Sequence, residues 1–93
     1  MVTKEEIIKK IELCIDPDLG IDLWTLGLIY DIKIEKDNVE ILMTFTSPMC
    51  PYGPEMVKNV EDEVKSLGVE VKVNVTFEPA WTPSEELREM LGV

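Results

Sequence analysis

Three stretches of this chain alternate apolar and polar residues with a period of two, and a stripe of helical period separates the second stretch from the third. In the first, Leu28, Tyr30, Ile32 and Ile34 fall on one side, with Asp31, Lys33 and Glu35 on the other. In the second, Val39, Ile41, Met43 and Phe45 alternate with Glu40, Leu42, Thr44 and Thr46. In the third, Val69, Val71, Val73, Val75 and Phe77 alternate with Glu70, Lys72, Asn74 and Thr76. Successive side chains of a strand point to opposite faces, so each stretch reads as a strand with one apolar face. Asp37-Asn38 supplies a short turn between the first two strands, which makes a β-hairpin. Between the second and third, Pro54 suits a first helical position, Val57, Val60, Val64 and Leu67 form a helical stripe, and Gly68 stops it. A strand that returns through a helix pairs in parallel, so the sheet is mixed.

The flanks add two helices. Thr3 can cap a helix in which Glu6 completes a capping box, and Ile7, Ile8, Ile11, Cys14 and Ile15 recur at helical spacing, predicting a helix over about Lys4 to Ile15. Asp16-Pro17 ends it, because proline disfavours the helical conformation in the residue before it. Asp18 to Gly27 has too little periodicity to assign. Thr82, Pro83 and Glu85 offer a cap, a first-turn proline and a capping-box acid for a last helix through Leu91, ended by Gly92. The 93 residues are too few for two cores, so residues 1–93 are expected to form one domain. The expected fold class is α/β (α+β): a two-layer αββαβα sandwich whose three-stranded mixed sheet is covered on one face by the first two helices. The other face, with Leu42, Thr44, Thr46, Asn74 and Thr76, is left for solvent or a partner.

Charge limits the partners. Nineteen acidic residues against nine basic ones give a formal net charge of −10, and direct nucleic-acid binding needs the basic patch that this balance lacks. No apolar stretch approaches the ~20 residues of a membrane span, and no secretory leader is evident, which predicts a cytoplasmic protein without membrane partners. The two cysteines, Cys14 and Cys50, are then expected to be free thiols.

Cys50 lies in Thr46-Ser47-Pro48-Met49-Cys50-Pro51-Tyr52-Gly53-Pro54, a proline-stiffened connection between the second strand and the second helix. The positive end of a helix dipole stabilises thiolate, which favours a nucleophile or soft-metal ligand, whereas the acidic chain opposes it; a small buried hydrophobe is the bland alternative. Cys14 falls on the apolar stripe of the first helix and reads as core. The chain has no histidine and no CxxC, so one copy cannot build a zinc site of cysteine and histidine, and a cluster on Cys50 needs ligands from a second subunit, a partner or a small thiol. Asp16 and Asp18 bracket Pro17 either as a solvated turn or, if they approach Cys50, as a base or oxygen ligands. Thr46 can hydrogen-bond the thiolate or merely occupy its strand. Trp24 and Trp81 read as packing or as partner contacts.

Together, Asp16-Pro17-Asp18, Leu26-Gly27-Leu28-Ile29-Tyr30-Asp31, Met43 to Pro51 and Pro79-Ala80-Trp81 resemble the SufT/PaaD-like family of iron-sulfur assembly proteins, whose fold resembles the NifU-type scaffold domain. The resemblance implies an assembly or carrier protein rather than a turnover enzyme. Its site would be Cys50 as the reactive, cluster-binding or metal-binding thiol, with Thr46, Asp16 and Asp18 around it; members often carry glutamate at the position of Asp18. The implied cargo is an iron-sulfur cluster or iron, held transiently. The implied partners are other assembly proteins and apoprotein clients, and one thiol per chain suits a homodimer. An adaptor that recruits clients or, as in the PaaD branch, an oxygenase complex without metal is the competing reading.

Overall fold

The computed structural model describes residues 2–17, 19–46, 51–79 and 81–91. The elements run α1 (Lys4–Ile11), β1 (Ile29–Glu35), β2 (Asn38–Met43), α2 (Gly53–Lys65), β3 (Glu70–Val75) and α3 (Glu85–Leu91). The sheet order is β1-β2-β3, with β1 antiparallel and β3 parallel to the central β2. This is the expected two-layer arrangement with a mixed sheet.

β2 carries the core. Val39, Ile41 and Met43 are buried to within 1% of completely, against Ile7 and Ile11 of α1 and Met56, Val60 and Val64 of α2. On the opposite face the register sets exposed Glu40 between Lys33 of β1 and Lys72 of β3, so the polar side of the sheet is a row of alternating charge. Such cross-strand pairs contribute roughly 0.2–1 kcal/mol each. Burial therefore supplies the stability, and the charge row keeps the outer face wet.

Several boundaries differ from the sequence reading. α1 has the Thr3–Glu6 capping box, but it ends at Ile11, not Ile15. Cys14 and Asp16 then turn inward in an extended segment, and Ile15, expected on the helical stripe, is exposed and bridges to Asp22. The strand pairing replaces the last helical turn because it buries two residues the helix would have left on different faces. The hairpin turn is Lys36-Asp37, one residue earlier than Asp37-Asn38, since Glu35 pairs with Asn38. β2 ends at Met43 and β3 spans Glu70–Val75, so Phe45, Val69 and Phe77 lie beyond the ladders, and Val75 and Phe77 are exposed edge residues, not covered ones. Ser84, not Thr82, caps α3: its hydroxyl accepts the Leu87 N–H.

Thr44 is the largest departure: it is fully buried, not on an open face. The chain leaves β3 at one edge of the sheet and is fastened to the β1 side, where the Tyr30 hydroxyl donates to the Pro79 carbonyl (2.7 Å) and the Trp81 indole N–H donates to the Leu26 carbonyl (2.6 Å). It must therefore cross the end of β2, where Thr44 lies. Gly27, just after the Leu26 carbonyl that Trp81 meets, has a φ of +75°, a left-handed conformation that favours glycine. Trp24 and Trp81 are half-buried against the core, which favours packing.

Ile41→Ala removes a fully buried side chain from the centre of β2. It is expected to lower unfolding free energy by about 2–5 kcal/mol, read as a shift in urea midpoint at constant slope.

Candidate functional site

Of the four residues expected at the site, Asp16 and Thr46 lie among the described residues, whereas Cys50 and Asp18 fall outside them. Thr46 is half-buried just beyond β2. Asp16 is 1% exposed, which removes the solvated-turn reading for it. Its Oδ1 accepts the Leu19 N–H (3.3 Å), its own N–H donates to the Ile21 carbonyl, and its carbonyl accepts the Gly20 N–H. Asp16 thus ties the end of this extended segment to Leu19, Gly20 and Ile21.

α2 is the helix that follows the cysteine motif in the sequence. Its first residue, Gly53, follows Cys50 by three positions, Pro54 occupies the first turn, and Tyr52 at the N-cap contributes no side-chain cap. Gly53 is buried against the Phe45 ring so closely that an added Cβ would meet ring atoms at 2.6 and 2.8 Å. Phe45 in turn meets Phe77 edge to face, with centroids 5.9 Å apart. The end of β2, the chain after β3 and the start of α2 are thereby locked together by two aromatic rings. The positive end of the α2 dipole lies at that junction and favours an anion there by about 0.3–1 kcal/mol.

The same helix faces the Asp16 loop. Ile15 and Pro17 line a cleft with Glu55, Met56 and Asn59, so the structure brings the Asp16-Pro17 turn against the first turns of the helix that Cys50 precedes. Sequence reasoning missed Glu55 and Asn59, although their spacing of four placed them on one helical face.

Cys14 behaves as core. It is fully buried, and its Sγ lies 3.7 Å from the Lys10 carbonyl, which it can contact as a weak donor. Burial pushes its thiol from 9.0 up to about 11, and the Glu63 carboxylate adds to the push. A thiol that keeps its proton is a poor ligand and nucleophile. Among the described residues no cluster of three or more histidine, cysteine or acidic side chains could hold a metal ion. The described donor set alone therefore does not fit a resident cluster, and Cys50 is the remaining thiol.

Residues 4–77 match the family model described as iron-sulfur cluster assembly protein. The chain belongs to that family. It is 40% identical to an Fe-S protein maturation auxiliary factor of Bacillus subtilis over 85% of this chain and 80% of the relative. It is 36% identical to one of Porphyromonas gingivalis over 97% and 91%. A solved structure of a conserved hypothetical protein from Thermotoga maritima shares its fold with a TM-score of 0.87 and 46% identity, covering 99% of this chain and 96% of that one. No described helix is long and apolar enough to cross a membrane.

Two outcomes are expected. Gly53→Ala should cost about 1–3 kcal/mol by urea unfolding, because the Phe45 ring must move, and Phe45→Leu in the same chain should recover part of the loss. The Cys14 thiol is protonated in the folded chain up to about 11 but only to 9.0 in the ordinary case, so the stability it contributes is intact below pH 9.0 and lost as pH rises towards 11. The gap in urea midpoint between the native chain and Cys14→Ala should accordingly shrink over that range.

Proposed function

We propose that this chain is an iron-sulfur protein maturation factor that holds a cluster, iron or sulfur transiently on Cys50 and passes it to apoprotein clients. It acts as a single assembly domain in the cytoplasm, with other assembly proteins and its clients as partners. The observation that carries the reading is the withdrawal of Cys14 from chemistry. Cys14 is sealed in the core and held protonated, which leaves Cys50, on the connection into the N-terminus of α2, as the sulfur open to chemistry. Family membership and the names of the Bacillus and Porphyromonas relatives, both maturation auxiliary factors, support the same direction.

The dipole of α2 favours the thiolate form, and a thiolate is the form that binds iron or accepts sulfur. Because one thiol does not complete the coordination of a cluster, the remaining ligands come from a second copy, a client or a small thiol. Incomplete coordination suits transfer, since an acceptor site with more thiolates holds the cargo more strongly. Asp16, braced by its own loop, and Asp18 are the acids of the site, and Thr46 flanks it at the end of β2.

Anaerobic reconstitution with ferrous iron and sulfide should give visible cluster absorption in the native chain and in Cys14→Ala, and none in Cys50→Ala. Equal absorption in native and Cys50→Ala proteins would favour the adaptor reading, in which clients are recruited without metal.

A further inference from the structure

The segment between α1 and the Asp16 loop leaves the helix by a turn, in which the Leu13 N–H donates to the Lys10 carbonyl and the Cys14 N–H to the Ile11 carbonyl, and is extended at Ile15. Cys14 and Asp16 point inward and are buried, while Leu13 and Ile15, at 62% and 48% exposure, point outward, followed by exposed Pro17. On one edge the segment pairs with residues 21–23: the Asp16 N–H donates to the Ile21 carbonyl and the Leu23 N–H to the Cys14 carbonyl, around the Ile15–Asp22 bridge. In that pattern the N–H and C=O of Ile15 point to the other edge, where they meet no backbone partner among the described residues. That edge is the kind of site to which an extended peptide adds as a strand.

Beside it runs the cleft of about 290 Å³ between Ile15, Pro17 and the first turns of α2. It is far larger than the roughly 30 Å³ of one water and is wide enough for side chains. Ile15, Pro17 and Met56 give it an apolar side and Glu55 and Asn59 a polar one, and Glu63, which continues the same helical row at a spacing of four, lies near Cys14. No lysine or arginine lines the cleft, and the whole chain carries −10. Charge complementarity thus selects a basic occupant and disfavours a second copy of this acidic chain.

We propose that the outward backbone edge at Ile15 and the adjoining cleft form a docking site for an extended client segment that alternates apolar and basic residues. An apolar side chain fills the cleft, and its basic neighbour faces Glu55. Naming the occupant as a client rests on the maturation reading above. The site gives that reading a specificity element, because it holds the client against the helix whose N-terminus follows Cys50.

The test uses the full chain labelled with ¹⁵N and titrated with a synthetic peptide alternating valine and lysine. Saturable amide shifts are expected at Leu13, Ile15 and Glu55 to Asn59, absent with the matching valine-glutamate peptide. Glu55→Lys should weaken binding about fivefold and Ile15→Glu about tenfold, both being surface changes that leave the fold intact. Cys50→Ala should bind like the native chain. No saturable shift, equal binding of the glutamate peptide, shifts centred on Val75 and Phe77 instead, or concentration-dependent shifts of the same amides without peptide would each overturn the proposal. Peptide binding together with cluster absorption that survives Cys50→Ala would leave this site standing and remove the Cys50 reading; the reverse pair would do the opposite.

Discussion

Everything in this molecule depends on β2 being paired on both sides. Its inward residues Val39, Ile41 and Met43 are fully buried, and its ladders to β1 and β3 run in opposite senses. The antiparallel partner needs only a two-residue turn, whereas the parallel partner obliges the chain to return to the start of the sheet through α2. The connection from β2 into α2 therefore begins at the carboxyl end of the central strand and finishes at a helix N-terminus. Open α/β sheets collect ligands at that kind of place, because backbone N–H groups converge there with a favourable dipole.

Cys14 shows what this fold does to a thiol. Cys14 arrives at the core through an extended segment, loses water and keeps its proton with an acid nearby. Cys50 follows the strand that carries the core and precedes the helix that covers it. Gly53, packed against the Phe45 ring, marks where that helix starts, and Phe77 meets the same ring edge to face. Three segments distant in sequence thus share one junction next to the cysteine loop.

The strands and α2 were legible because burial on one face writes itself as a period of two or of 3.6, and the parallel pairing followed from the helix between them. What was not legible depended on contacts between distant segments. Ile15 looked helical because its spacing from Ile8 and Ile11 fits, yet pairing with Asp22 drew it into an extended edge. Thr44 followed the polar alternation but is covered where the chain beyond β3 crosses the sheet. At the site, the cysteine motif was readable as a string, whereas Asp16 as a buried loop organiser and the Glu55–Asn59 wall needed the fold, since nothing local marks which helical face meets which turn.

The seam between the C-terminal segment and the middle of the chain has a practical side. Trp81 closes it by donating its indole N–H to the Leu26 carbonyl, and Tyr30 adds a second clasp at Pro79. Indole emission responds to the polarity around that nitrogen, so the molecule carries its own optical gauge of whether the tail is fastened, readable in real time without a dye and shared with only one other fluorophore of its kind, Trp24.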